Sequence, residues 1–430
     1  MEKLKTSSFA PPIDLPEALQ APVRPASLSL VLALLVGNIA ANFCYLNIII
    51  LVLPLQLSIL DPANKVTALT TITAIGALFG IMGVPVIGAL SDRTTSRFGR
   101  RRPWFLFGTL LCVVGLLALM HAQTVFVLLI AWCAFQIFFS AINAPLYAII
   151  PDNVPANQRG VVSSTFGLGL SVGVVLGTII FGQIIKNYSG SYLVMIIVIV
   201  EVFLPFAFFL RDKVLPKDYL PPFHLSTFMK SFWISPRTYP DFAWAWLTRF
   251  FPFLGYTIGS TLLFYYIQDA VKYQQVFPGQ TALQGTSMFY LVSTIFLVVS
   301  TIVGGILSDR LQRRKVFVIS SLILLGISLL LLGFFPVWQM VLIASAVLGL
   351  GFGTYLSVDM ALVTFLLPKA ENRGKDLGVI FMAQALAQLV APVMAGIIVN
   401  GTHSYTVLFL VSAIIVFSGI LAVLQIKTVR

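Results

Sequence analysis

Three charged side chains stand inside long apolar runs: Glu201, Arg249 and Asp359. An ionised group in hydrocarbon is costly, so it marks a functional path or needs a partner of opposite sign. Arg249 and Asp359 lie at matching depth from the nearest basic loops, both in the second half of the chain. Equal depth and opposite charge predict an ion pair. Protonating Asp359 would neutralise it and release Arg249, an exchange able to couple a proton to another movement. A static structural pair fits the same two residues. Glu201, midway along its own run, is a third candidate for coupling.

Neutral polar side chains form stripes. Gln136, Ser140, Asn143 and Tyr147 follow the spacing i, i+4, i+7, i+11, which is one face of a helix. Asn38, Asn42 and Tyr45 share a face, as do Gln384 and Gln388. Tyr256 and Ser260 continue the face of Arg249, and Tyr355 continues that of Asp359. In lipid such groups need partners or water. Donors and acceptors set among aromatic rings suit a neutral polyhydroxylated ligand. Hydrogen bonds between helices would use the same residue types.

A basic turn completes the chemistry. Gly88 to Trp104 contains Asp92, Arg93, Gly99, Arg100, Arg101 and Arg102, and Gly305, Asp309 and Arg310 repeat its start, followed by Arg313, Arg314 and Lys315. Gly88 and Gly305 would let helices approach closely. The aspartates could accept hydrogen bonds at a neighbouring helix N-terminus, where the helix dipole favours an anion. Guanidinium groups hold carboxylates bidentately, and Asp152, Arg159 and Arg373 are the counterparts in other loops.

The elements that must position these residues follow from hydropathy. Hydrophobic residues make up 58% of the chain and charged residues 10%, against roughly 25% charged in soluble domains. Twelve stretches approach or exceed the ~20 apolar residues that cross a bilayer: 28–54, 66–90, 104–121, 124–150, 161–185, 191–210, 242–267, 283–307, 316–334, 337–367, 377–399 and 405–426. In a soluble protein a net charge of +12 would suggest nucleic acid. Here the basic residues gather in loops on one side. Of 27 Lys and Arg, only Lys65, Lys186, Lys272 and Arg249 fall elsewhere, which by the positive-inside rule places both termini in the cytoplasm.

The chain divides into a proline-rich, disordered tail (1–26), a first six-helix bundle (27–210), a linker (211–240) and a second bundle (241–430). Two echoes support the division. Asp92 and Asp309 lie 217 positions apart, and Arg159 and Arg373 lie 214 apart, each near half of 430. Two parallel halves with a site near the midplane between them is a transporter design. Three cysteines inside spans imply no disulfide framework. Three scattered histidines imply no metal site, no cofactor motif is present, and no catalytic constellation marks an enzyme.

The run Ser91-Asp92-Arg93, then Ser96-Arg97-Phe98-Gly99-Arg100-Arg101-Arg102-Pro103, resembles the loop signature of the major facilitator superfamily. It is most similar to the version in sucrose–proton symporters and the glycoside-pentoside-hexuronide branch. Val358-Asp359-Met360-Ala361-Leu362, with Leu367-Pro368 and Lys375-Asp376-Leu377-Gly378, is similar to the tenth-span pattern of that branch. The resemblance implies an all-α membrane protein of twelve helices in two pseudo-symmetric six-helix bundles. It also implies a path lined by spans 1, 4, 7 and 10, with span six, the span of Glu201, as an outer support. The basic corners become a latch at the cytoplasmic side that forms and breaks as the halves rock.

The chain departs from the pattern in span four, where Gln136 and Tyr147 stand in place of an acidic residue and an arginine. The acidic residues that sodium–melibiose-type symporters place in their first two helices are also missing. Coupling is therefore expected at other groups, and to a proton rather than sodium. The expected function is a monomeric, multi-pass plasma-membrane carrier of a sugar or glycoside, working by alternating access without cofactor or nucleic acid. Two alternatives stay open. One is a facilitative uniporter or an exporter of a small amphipathic compound. The other is a non-transporting receptor or assembly factor on the same scaffold, which a sealed, dry centre would favour.

Overall fold

A lipid-embedded backbone must satisfy its own hydrogen bonds, and apolar runs of this length do so as helices. A computed structural model describes residues 22–23, 25–155, 157–210, 212–216, 240–311, 313–366 and 373–426, apart from the side chains of 164, 309, 360–366 and 373–378. Every regular element among the described residues is helical. Most of the 1–26 tail and most of the 211–240 linker lie outside the described residues, as do the side chains of Asp309 and Arg373.

The membrane-length helices are α1 (Leu28–Leu60), α2 (Lys65–Asp92), α3 (Arg102–Met120), α4 (Val125–Asn153), α5 (Arg159–Ile185) and α6 (Tyr188–Phe209). After the linker come α7 (Pro240–Thr261), α8 (Ala282–Leu311), α9 (Arg314–Phe334), α10 (Trp338–Leu366), α11 (Arg373–Thr402) and α12 (Tyr405–Gln425). Leu263–Ala270 follows α7 after a 43° bend, and the two together are long and apolar enough to cross a membrane. The first span runs past its expected end at residue 54 to Leu60, because Pro54 follows a π-turn at Ile48–Val52 and does not end the helix. Two more π-turns occur, at Ile180–Ile185 closing α5 and at Tyr266–Ala270 closing the α7 extension.

Within the first half, α1 packs on α5, α2 on α4, and α3 on both α4 and α6; within the second, α7 packs on α11 and α12, α8 on α10, and α9 on α10 and α12. The halves meet where α2 faces α11 and α5 faces α8. Small residues bring the helices close. A Cβ at Gly173 would lie 2.7 Å from the Ile39 carbonyl oxygen and 2.8 Å from the Phe43 nitrogen, so α1 and α5 touch backbone to backbone.

The face carrying the Gly88–Arg102 turn is called here the basic face, and the opposite one the far face. The helices between the halves are buried near the far face and exposed near the basic face. On α2, Ala68 to Gly76 is largely buried while most of Leu78 to Leu90 is exposed; α8 follows the same gradient in reverse, from Ala282 to Leu307. The two bundles are thus covered by one another toward the far face and less covered toward the basic face.

Candidate functional site

In the second bundle, α7 and α10 bring Arg249 and Asp359 together. Arg249 Nη1 lies 3.0 Å from Asp359 Oδ2, with side chains 5% and 2% exposed. The pair anticipated from depth and sign is present. Two phenyl rings flank the guanidinium, Phe253 at 5.5 Å and Phe381 at 4.9 Å from ring centre to Cζ. Phe381 is itself 44% exposed, so a single ring covers Arg249 on that side. Tyr355 was expected in the wall. It is instead fully buried, and its hydroxyl donates to the Thr248 carbonyl at 2.9 Å. It braces α10 against α7 beside the pair. Tyr256 stacks on Phe352 at 4.3 Å and remains partly exposed, as does Ser260.

The neutral stripes of the first bundle divide between residues buried in helix seams and residues left partly or largely exposed. Asn38 is buried, and its side-chain oxygen would lie 2.5 Å from a Cβ at Gly169 of α5; Asn42 donates to it at 2.9 Å. Gln136 and Ser140 are buried against Gly80 and Gly83 of α2. These residues serve helix contact in this conformation, because a missing Cβ on the facing helix admits the amide or hydroxyl. Tyr45 is partly exposed, stacks on Phe139 at 5.0 Å and lies within 3.4 Å of Gln136 Nε2. Asn143 is partly exposed and Tyr147 is 49% exposed, with its ring 4.7 Å from Phe166. In the second bundle, Gln384 is partly exposed and Gln388 exposed. Glu201 does not join the charged pair. It is exposed on α6, a helix packed on the first bundle, while Arg249 and Asp359 lie in the second.

The basic corner is a closed network. Arg101 is 3% exposed, and its guanidinium donates to Asp92 at 2.5 Å, Asp152 at 3.0 Å and Ser91 at 2.8 Å. Arg100 adds a second bond to Asp152 at 2.7 Å. Two arginines on one carboxylate tie the α2–α3 turn to the end of α4. Arg159 caps that same end, donating to the carbonyls of Val154 and Pro151 at 3.0 and 3.1 Å. Arg93 is partly buried and Arg310 exposed. Close approach holds at Gly305, where a Cβ would meet Ser357 Oγ at 2.6 Å. It fails at Gly88, where nothing lies within 4 Å of a Cβ.

Sequence reasoning missed the far seam. Lys65 Nζ reaches Asp269 Oδ1 at 2.7 Å and Gln268 at 2.9 Å, and Tyr405 donates to the other Asp269 oxygen at 3.1 Å. Asn400 donates to Thr67 at 3.0 Å, Gln183 to Ser287 at 2.7 Å, and Tyr265 to the Pro54 carbonyl at 3.2 Å. Each of these except the Tyr405 bond links one bundle to the other. The usable signal was the scarcity of cations there, since Lys65 is one of only three Lys or Arg in the far-face loops.

Comparison with known proteins agrees with this architecture. A family model described as Major Facilitator Superfamily matches residues 35–298 and 278–429. A general alpha-glucoside permease of Schizosaccharomyces pombe is 31% identical over 118 residues, 24% of this chain and 21% of that protein. An uncharacterized symporter of Synechocystis is 30% identical over 137 residues, 29% of this chain and 25% of that one. A sucrose transport protein of Arabidopsis thaliana is 24% identical over 150 residues, covering 29% and 25%. The matched stretches thus span about a quarter of those relatives' lengths. Among solved structures, a POT family transporter bound to a thioalcohol-conjugated peptide superposes with a TM-score of 0.70 at 17% identity, covering 92% of this chain and 95% of that one. A peptide transporter POT variant gives 0.72 at 14%, covering 96% and 98%. These likenesses establish the fold, and the match of the family model along nearly the whole sequence makes the chain a member of the major facilitator superfamily.

Proposed function

We propose that this protein is a secondary transporter that moves a sugar or glycoside by alternating access, with a proton as co-substrate. The observation that carries the reading is a buried Arg249–Asp359 pair in the second bundle. We read the less covered halves of α2 and α8 as a wedge between the bundles, open at the basic face, and the neutral donors and acceptors that stay exposed on both bundles as its walls. A hydroxyl-rich solute would enter from the basic face and bond to Tyr45, Asn143 and Tyr147 on one side and to Gln384, Gln388 and Tyr256 on the other. No free charge is needed to hold such a ligand. The ion pair is therefore available for coupling: a proton on Asp359 removes its charge, and Arg249 is released to a new partner or to water. The likeness to alpha-glucoside and sucrose carriers over part of the chain supports the solute class.

In this reading the basic face is cytoplasmic, the protein is a monomer in the plasma membrane, and Asp92, Arg93, Arg100, Arg101 and Asp152 belong to a corner that meets the second bundle when the wedge closes. Asp309, Arg310 and Arg373 are the corresponding corner of the second half. Purified protein in liposomes, given a panel of radiolabelled sugars and an imposed pH gradient, tests the proposal. The wild type should accumulate at least one sugar against its gradient. Asp359→Asn should abolish accumulation and spare sugar exchange. Accumulation by Asp359→Asn that still follows the pH gradient would remove the coupling role.

A further inference from the structure

Helix α6 ends at Phe209, and three residues later Asp212 turns back onto the start of α3. No side chain of α3's own capping residue satisfies its first N–H groups. Asp212 does so from the segment that follows α6. One of its carboxylate oxygens accepts from the backbone N–H of Arg101 and, at 2.9 Å, from that of Arg102. An anion at a helix N-terminus satisfies orphaned donors and suits the dipole.

The turn is shaped around this carboxylate. Gly99 has φ +103, a left-handed conformation that side-chain-bearing residues rarely adopt, and a Cβ there would lie 2.5 Å from the Asp212 carboxylate carbon. Contacts also run the other way, since Arg102 donates to the Ala207 and Phe208 carbonyls near the end of α6 at 2.7 and 3.2 Å. Arg101 is thus gripped twice. Its backbone is held by Asp212, and its guanidinium by Ser91, Asp92 and Asp152. Burial lifts the Asp212 carboxyl above the ordinary carboxylate range, opposed by the N–H groups of Arg102, Arg101 and Lys213 and by the Arg101 charge.

We propose that Asp212 is a positioning residue of the basic corner: it fixes the Gly99–Arg102 turn so that Arg101 meets Asp92 and Asp152, and it ties that corner to the root of the segment joining the two bundles. Leu215, three residues on, is 1% exposed, so the root of that segment is packed in place. Rocking of the bundles would act on the corner through this anchor. That part rests on the alternating-access reading above, and not on the nature of the solute.

The test uses the full-length protein in detergent and needs no substrate. Hydrogen exchange followed by mass spectrometry should show residues 99–104 exchanging about tenfold faster in Asp212→Ala, with the other helices unchanged. Asp212→Asn, which keeps an acceptor oxygen and guards against a misfolded alanine variant, should lose less, and Asp212→Glu should recover part of the protection. Spin labels at cysteines replacing Ser96 and Arg313, in a chain lacking Cys133, then read the gap at the basic face. Asp212→Ala should shift the distance distribution in the same direction as Asp92→Asn and by more, and the double variant no further than Asp212→Ala alone, because both act through Arg101. Unchanged exchange at 99–104, exchange raised throughout the protein, or additive shifts in the double variant would each overturn the proposal. A distance fixed in every variant would overturn the rocking itself, while exchange confined to 99–104 would still uphold the positioning of the turn.

Discussion

At the far face, side chains of one bundle close on the other: Lys65 on Asp269 and Gln268, Gln183 on Ser287, Asn400 on Thr67. At the basic face, Asp92, Arg100, Arg101 and Asp152 spend their bonds inside the first bundle. The first set must break if the halves are to part there. The second can travel intact with its bundle. The far seam is made of links that are cheap to exchange for water, with Lys65 and Asp269 16% and 36% exposed, and each such pair is worth about 0.2–1 kcal/mol. The basic corner instead encloses Arg101 almost completely. Exposed, exchangeable links at one face and an enclosed corner at the opposite face are what the proposed alternating access calls for.

The largest expected effect comes from wedging the far seam open. Gly182 of α5 leaves room for Ser287 of α8, so a side chain there has nowhere to go. Gly182→Leu should prevent closure, cut sugar turnover in liposomes more than about tenfold, and make a cysteine placed at Asn400 react faster with a membrane-impermeant maleimide. Unchanged reactivity would show that the seam is not the closure. A smaller effect belongs to the ion pair. Lys65→Ala or Asp269→Ala should shift the populations of the two states up to about fivefold, with the change suppressed in high salt, and the exchanged pair Lys65→Asp with Asp269→Lys should restore them. Spin-label distances across the far face would measure it. Smallest is Asp92→Asn, because Arg101 keeps Asp152 and Ser91. It should slow turnover a few-fold while expression and sugar affinity hold; equal turnover would confine Asp92 to its own bundle.

Twelve spans were legible because hydropathy reports the solvent directly, and the Arg249–Asp359 pair because two charges at one depth in hydrocarbon have few other ways to be satisfied. The neutral stripes were less legible. Helical spacing places Asn38, Gln136 and Ser140 on a face, but whether that face meets water or a neighbour depends on Gly169, Gly80 and Gly83 in other helices. Gly169, Gly173 and Gly177 recur every fourth residue, a small-residue pattern that favours close packing, but nothing in that spacing tells that amides of α1 fill the gaps. Asp212 was hidden because it follows a span and opens a stretch rich in proline and charge, where a carboxylate looks like ordinary solvated linker. Its partners are backbone N–H groups, which leave no mark in a sequence.

Among the described residues, three π-turns, at Ile48–Val52, Ile180–Ile185 and Tyr266–Ala270, border the far seam, beside Pro54, Gln183 and Asp269. Such a turn amounts to one residue added to an α-helix. Deleting a single residue there should let the helix relax into ordinary winding while the rest of the span keeps its facing, whereas the same deletion mid-helix would rotate everything beyond it by about 100°. In a survey of one-residue deletions, these three short windows should stand out as islands of tolerance in an otherwise intolerant membrane core.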